Sequence, residues 1–429
     1  MSARLLQFPE RRQTHHLPPP PASPSIVSIS PRASAIIDRA LQARPTGARR
    51  PKPTHPTDEQ ARAIKALVAW YRDPRRKVFR LFGFAGTGKS TVAEWAIAAL
   101  RASSFCRKVV TCTPTNLAAE VLRGKGISSA MTCHRALYVP NEEEGGDVSF
   151  TLAEDGPAAE ADLVVIDEGA MVGTTMGRDF MKVARKILVL YDDGQLRPVG
   201  EPPYFTDVDP DVRLTEISRQ SMESPIVRLS MEFRNGRMPP FGDYGDGVFV
   251  LPLNKVTQQL VYRESHFALC GMHRVRWTYT QRIRRLREQE GDMPNVGEPI
   301  LSRKNHHEDG IYNGSPAVLT DTPFWSERSP GLLEIQYRMA GEEKVRKGRT
   351  HPYLFEQHRT LTRERPAKIG RAVQEWDWDY LRTVHSAQGS EWPAVTVIDD
   401  ADVFRGEAWK HRYTGFTRAS ECVTFLARE

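Results

Sequence analysis

A glycine-rich run, GFAGTGKST at 83–91, follows directly on the apolar stretch 78–82. It leads into a segment whose Ala93, Ala96, Ile97 and Leu100 share one helical face. The pattern G-x-x-x-x-G-K-[ST] between a strand and a helix confines the chain to an α/β fold with a phosphate-cradling loop. Its glycines let backbone N–H groups approach phosphates, and the helix that follows presents its positive end to them. Further apolar stretches at 109–112, 163–166 and 187–190 are nearly continuous rather than alternating. That is the mark of parallel strands covered on both faces, and strand–helix alternation makes the class α/β.

Other segments supply the groups a phosphate loop needs for hydrolysis. Asp167 and Glu168 in VVIDEGAM (164–171) stand at the carboxyl end of an apolar stretch, where open α/β sheets bind ligands. There Asp167 and the Ser90 hydroxyl would hold Mg²⁺, Lys89 would reach the β- and γ-phosphates of ATP, and Glu168 would act as general base. Gln195 in YDDGQLRPVG (191–200) follows another apolar stretch and could sense the γ-phosphate and the attacking water. Arg219 in LTEISRQ and Arg418 in YTGFTRAS (413–420) are candidate arginine fingers. VHSAQGSEW (384–392) and YTGFTRAS lie far downstream of the rest, which implies a second domain that helps to complete the site.

The bulk numbers limit the alternatives. With 429 residues the chain can hold two or three domains. No run approaches the 18 or so apolar residues of a membrane span. The five cysteines, Cys106, Cys112, Cys133, Cys270 and Cys422, form no CxxC pair. They read as small buried hydrophobes in a reducing cytoplasm. The net charge of +7 is carried by residues 1–56, which hold nine Lys/Arg against Glu10 and Asp38. That Pro-rich segment reads as a disordered basic tail, with 34–41 as its one short helical stretch.

Order is expected from Thr57, where Thr57 and Gln60 form a capping box ahead of Ala61, Ile64, Leu67 and Val68. Residues 57–200 read as one domain with a hairpin insertion at about 138–160. Its arms would be 138–140 and 148–152, around an acidic tip, NEEEGGD. Residues 201–315 and 370–429 read as a second domain with strands at 396–398 and 423–426. Leu333, Ile335, Tyr337 and Met339 alternate with polar residues within a small β insertion at 316–369.

Taken in order, these segments resemble the superfamily 1 DNA helicases of the 5′→3′ branch, the group of RecD-like and Dda-like enzymes of phages and bacteria. The resemblance runs from about Thr57 to the C-terminus. It implies two RecA-like parallel-sheet motor domains with ATP between them, a β-hairpin pin and a small β-barrel insertion at 316–369. It assigns adenine reading to Gln60 and nucleotide binding to Gly83, Ala85, Gly86, Thr87, Gly88, Lys89, Ser90 and Thr91. DNA contacts fall on Thr113, Pro114, Thr115, His134, Thr383, His385 and Gln388, and finger roles on Arg219 and Arg418.

It implies a monomeric cytoplasmic motor, in a bacterial cell or a phage-infected host, that takes ATP and Mg²⁺ as cofactors. Its partners would be single-stranded and tailed duplex DNA, together with replication or recombination proteins. A RecD-like subunit of a recombination complex and a DNA-binding regulatory ATPase that does not unwind are the two alternatives. The chain departs from the family pattern at Tyr191, Arg197, Gly169 and Ser386, none of them a hydrolytic side chain.

Overall fold

The computed structural model describes residues 31–46, 55–142, 148–198, 200–217, 223–289, 291–306, 309–361, 365–366, 369–370 and 373–428, and the statements below concern these. Thr57 caps the helix Asp58–Arg72 through the expected reciprocal pair with Gln60. Strands follow at β1 (Val78–Gly83), β2 (Val109–Thr113), β3 (Met131–Thr132), β4 (Tyr138–Glu142), β5 (Val148–Leu152), β6 (Leu163–Ile166), β7 (Ile187–Tyr191) and β8 (Val212–Leu214). Six of them form a sheet in the order β3-β2-β6-β7-β1-β8, parallel throughout. Leu67, Val92, Ala96 and Leu100 pack on one face, and Phe180, Ala136 and Leu137 on the other.

The first sheet reaches past residue 200, the expected limit of its domain. Leu214 in β8 is fully buried and packs with Leu67 and Leu81, which holds this three-residue edge strand in place. The hairpin β4–β5 has the expected arms, the first running on to Glu142. It closes at Leu152, and Pro157–Glu160 is a single helical turn opened by proline. Residues 143–147, most of the acidic tip, lie outside the described residues.

The second half continues with β9 (Gly242–Asp243), β10 (Val248–Pro252), β11 (Phe267–Cys270), β12 (Pro299–Ser302), β13 (Pro316–Leu319), β14 (Phe324–Trp325), β15 (Leu333–Met339), β16 (Val345–Thr350), β17 (Trp376–Trp378), β18 (Leu381–Thr383), β19 (Trp392–Ile398) and β20 (Ala419–Ala427). A second sheet has the order β18-β11-β19-β20-β10-β9, parallel except for β9. The antiparallel unit runs β14-β15-β13-β12-β17 with β16 against β15, and a bridge from Thr350 to Gln374 links β16 back toward β17. It therefore spans 299–378, wider than the expected 316–369, because β12 and β17 supply its floor. The fully buried Trp376 and Trp378 share one core with Phe249, Leu251 and Ala268 of the second sheet. The antiparallel unit is thus fused to the second parallel sheet.

The tail departs from expectation over 31–46. Residues Pro31–Gln42 form a helix, with Ile37 and Ala40 buried against the second sheet's side of the molecule. The Ala40 carbonyl accepts from Arg263, Arg39 pairs with Asp243 at 2.8 Å, and Thr46 N donates to Glu421 at 2.6 Å. Ile36, Ile37, Ala40 and Leu41 supply an apolar stripe that proline-rich surroundings obscure. Ala40→Glu would bury an unpaired carboxylate and is expected to release this helix. Tryptic cleavage at Arg39 and Arg44 should then speed up about tenfold for every 1.4 kcal/mol of docking lost. An unchanged rate would contradict the docking.

Candidate nucleotide cleft and strand-contact surface

β1 delivers the chain into the loop at 83–91, where Gly86 and Gly88 sit at φ 82° and 83°. Glycine enters this region without steric cost. At Gly88 a Cβ would also lie 2.6 Å from Gln60 Nε2. Gln60 Nε2 donates to the Thr87 carbonyl at 3.0 Å, and Gln60 Oε1 accepts from Thr57 N at 3.1 Å. Both ends of the amide expected to read adenine are therefore engaged within the protein, where they brace the loop. Lys89 Nζ donates to the Gly83 carbonyl at 2.6 Å and the Phe84 carbonyl at 3.1 Å, at the head of the helix Lys89–Ala102.

Asp167 and Glu168 follow β6. Glu168 sits at φ 55°, a region that side-chain-bearing residues seldom occupy and that costs about 1–3 kcal/mol. Burial raises the pKa of both carboxyls. The Glu168 N–H, donating to Asp167 Oδ1 at 2.9 Å, and then Lys89 oppose the rise at Asp167. At Glu168 the opposing charge is Arg418, whose Nη1 stands 3.9 Å from Glu168 Oε1, while Asp167 adds to the rise.

Arg418 belongs to the second half. It is 6% exposed and held by Thr414 O at 3.1 Å and Ser390 O at 3.2 Å. Together these groups line a cavity of about 400 Å³ with Lys89, Ser90, Thr91, Gln195 and Ser390. Gln195 Oε1 and Ser390 Oγ are buried there without a hydrogen-bond partner among the described residues. Buried polar atoms left unpaired in a concave site fit a polar ligand such as a nucleoside triphosphate. Arg219 lies outside the described residues.

Sequence reasoning passed over a latch across the same cleft. Tyr413 OH donates to Asp192 Oδ2 at 2.5 Å and accepts from Ala85 N at 3.0 Å. Asp192 also faces Arg234 at 3.3 Å, and that guanidinium lies 4.1 Å over the Phe84 ring. Tyr413 and Asp192 both fall in segments already singled out. The available signal was a polar side chain with no assigned task on the same helix that leads to Arg418.

The expected strand contacts divide into two groups. Pro114, Thr115 and His385 are half-buried at strand ends, and His134 rests 4.8 Å from Tyr138 and 4.4 Å from the exposed Phe150 ring at the root of the hairpin. Thr113, Thr383 and Gln388 are instead 0%, 4% and 1% exposed. Thr113 donates to the Thr115 carbonyl at 2.8 Å and lines the cleft, while Thr383 bonds Ser386 Oγ at 3.0 Å. Gln388 Nε2 donates to the Leu196 carbonyl at 2.8 Å, next to Gln195, so it joins the two halves. These three are buried in the protein, unlike the half-buried Pro114, Thr115, His134 and His385.

Comparison with known proteins agrees with this arrangement. Residues 55–250 match the AAA domain family and residues 380–426 match the UvrD-like helicase C-terminal domain. The ATP-dependent RecD2 DNA helicase of Deinococcus radiodurans is 24% identical over 349 residues, 79% of this chain and 44% of that protein. A protein of Methanocaldococcus jannaschii is 31% identical over 165 residues, 35% of this chain and 13% of that protein. The chain therefore spans less than half the length of these curated relatives. A solved structure of Pif1 helicases on forked double-stranded DNA shares the fold, with a TM-score of 0.51 at 15% identity over 87% of this chain and 92% of that one. With its phosphate loop, its acidic pair and a UvrD-like C-terminal segment joined in one cleft, the chain combines an AAA domain with a UvrD-like helicase C-terminal domain and is similar to the RecD2 helicase along most of its length.

Proposed function

We propose that this chain is an ATP- and Mg²⁺-dependent motor that moves 5′→3′ on single-stranded DNA and unwinds duplex in replication, recombination or repair. The observation that carries this reading is the 3.9 Å approach of Arg418, which leads into β20 of the second sheet, to Glu168 of the acidic pair that follows β6 of the first. A nucleotide site completed by a second domain makes hydrolysis depend on how the two domains sit, as a translocating motor requires.

ATP, when bound, supplies the phosphoryl group that is transferred. The Ser90 hydroxyl and Asp167 carboxylate on the cavity wall are hard oxygen donors of the kind Mg²⁺ takes alongside phosphate and water. Lys89 leaves the loop carbonyls to neutralise phosphate charge. Glu168 accepts the proton of the attacking water, and Gln195 orients that water. Arg418, with Arg219 as the second cation the resemblance points to, stabilises charge on the transferred group. Closure of the cleft is relayed through Tyr413, Asp192 and Gln388 to Pro114, Thr115, His134 and His385 along the strand.

Strand displacement on duplexes with a 5′ or a 3′ single-stranded tail tests this function. The 5′-tailed substrate is expected to open with ATP and Mg²⁺ and the 3′-tailed one to remain paired. Displacement that appears only after recombination proteins are added would make the chain a RecD-like subunit. ATP hydrolysis with no displacement would make it a regulatory ATPase.

A further inference from the structure

Between the helices His273–Leu286 and Tyr353–Thr360 and the β12–β17 side of the antiparallel unit lies another cavity of about 400 Å³, apart from the nucleotide cleft. Arg276, Arg303, Lys304 and Arg365 line it, against two carboxylates, Glu375 and Asp377. Both carboxylates already have partners. Asp377 takes Arg276 Nη2 and His358 Nε2, each at 2.6 Å. Glu375 takes Arg365 Nη2 at 3.0 Å, Lys304 Nζ at 3.7 Å and the Tyr353 hydroxyl. Arg303 is left over. Among the described residues its guanidinium makes no hydrogen bond and no ion pair, and burial pushes its pKa below the ordinary arginine value.

Among the described residues, four cations facing two carboxylates leave a concave site with positive charge in excess. Arginine does not lose its proton inside proteins, so the excess persists and an anion is the complement. The placement narrows the choice. Cys270 at the end of β11 pairs with Thr383 at the end of β18. His273, three residues beyond Cys270, lines this cavity, and His385 lies two residues beyond Thr383. The cavity therefore lies beside the segment expected to meet the strand. A planar guanidinium fork and a mobile ammonium are the donors that suit a phosphate.

We propose that this pocket binds a phosphate group, namely a backbone phosphate of the single strand on which the motor moves. The strand assignment rests on the proposed function above, whereas the anion site itself rests on Arg303.

Arg303→Gln tests it, with Lys304→Gln as the second variant. Arg303→Gln is expected to bind a single-stranded oligonucleotide about tenfold more weakly, the scale of a lost charge-assisted contact. The slope of log K against log salt should become shallower by about 0.7. Affinity for ATP without DNA should be unchanged. The thermal midpoint of the free protein should hold, because the half-buried Arg303 guanidinium makes no hydrogen bond or ion pair among the described residues.

Thermal shift in sodium phosphate against sodium chloride of equal ionic strength separates the two sources of phosphate. If orthophosphate stabilises the parent chain but not Arg303→Gln, while oligonucleotide binding is identical, the pocket holds free phosphate and the strand assignment is overturned. Equal binding with no phosphate effect overturns the site altogether. A fall in midpoint for Arg303→Gln, with parent-like binding by Lys304→Gln, would make Arg303 a structural residue and also overturns it. Single-strand stimulation of ATP hydrolysis by the parent chain is measured alongside. Its absence would sink the motor reading, while the phosphate arm still decides the pocket.

Discussion

Glu168→Gln is expected to bind ATP as the parent chain does and to hydrolyse it about 10²–10⁴-fold more slowly, the range that general-base catalysis contributes. The substitution keeps shape and hydrogen-bonding atoms and removes the proton acceptor. Lys89→Ala should lose both, because it withdraws the charge that meets the phosphates and leaves the loop carbonyls of Gly83 and Phe84 without their partner. The sign of the pH dependence follows from burial. The pKa of Glu168 is raised, so the base becomes protonated, and hydrolysis declines, at a higher pH than for an ordinary carboxylate. Fluorescent-nucleotide titration beside steady-state hydrolysis separates the two variants. Near-parental turnover by Glu168→Gln would remove it from the role of base.

Arg418→Ala is expected to lower kcat by about 10³-fold, the lower end of the range for arginine fingers, with only a modest loss of ATP affinity. Arg418→Lys should not restore the rate, since an ammonium cannot reproduce the guanidinium's grip on Ser390, Thr414 and the transferred group. A second readout distinguishes this from simple loss of packing. Arg418 holds the Glu168 pKa down against burial, so its removal should move the acid limb of the pH–rate profile upward. An unshifted limb with a normal rate would mean that the second domain does not reach the site.

What could be read from the chain divides by how local the cause is. The loop at 83–91 and the Asp167–Glu168 pair were legible because adjacent apolar stretches fix strand, loop and helix without reference to the rest of the molecule. Arg418 drew its significance from resemblance, for its neighbours in sequence do not announce the cleft. The burial of Thr383 and Gln388 is set by the packing of two distant segments, which no local pattern shows. At Gly389 a Cβ would come within 2.4 Å of Ala118, an approach that no local pattern encodes. β8 escaped notice as a three-residue edge strand that follows β7 only after a long loop, and β12 and β17 because four- and three-residue strands carry little periodicity. The docked helix Pro31–Gln42 was hidden in prolines and arginines, since its burial depends on a surface built more than 200 residues later.

The most direct test of the central claim, a hydrolytic cleft completed by two domains and governed by a DNA strand, is the ATP hydrolysis rate of the purified chain with and without a single-stranded oligonucleotide. The account predicts slow hydrolysis alone, strong stimulation by the strand, and no stimulation in Arg418→Ala. A parent rate indifferent to DNA, or stimulation that survives the loss of Arg418, would contradict it.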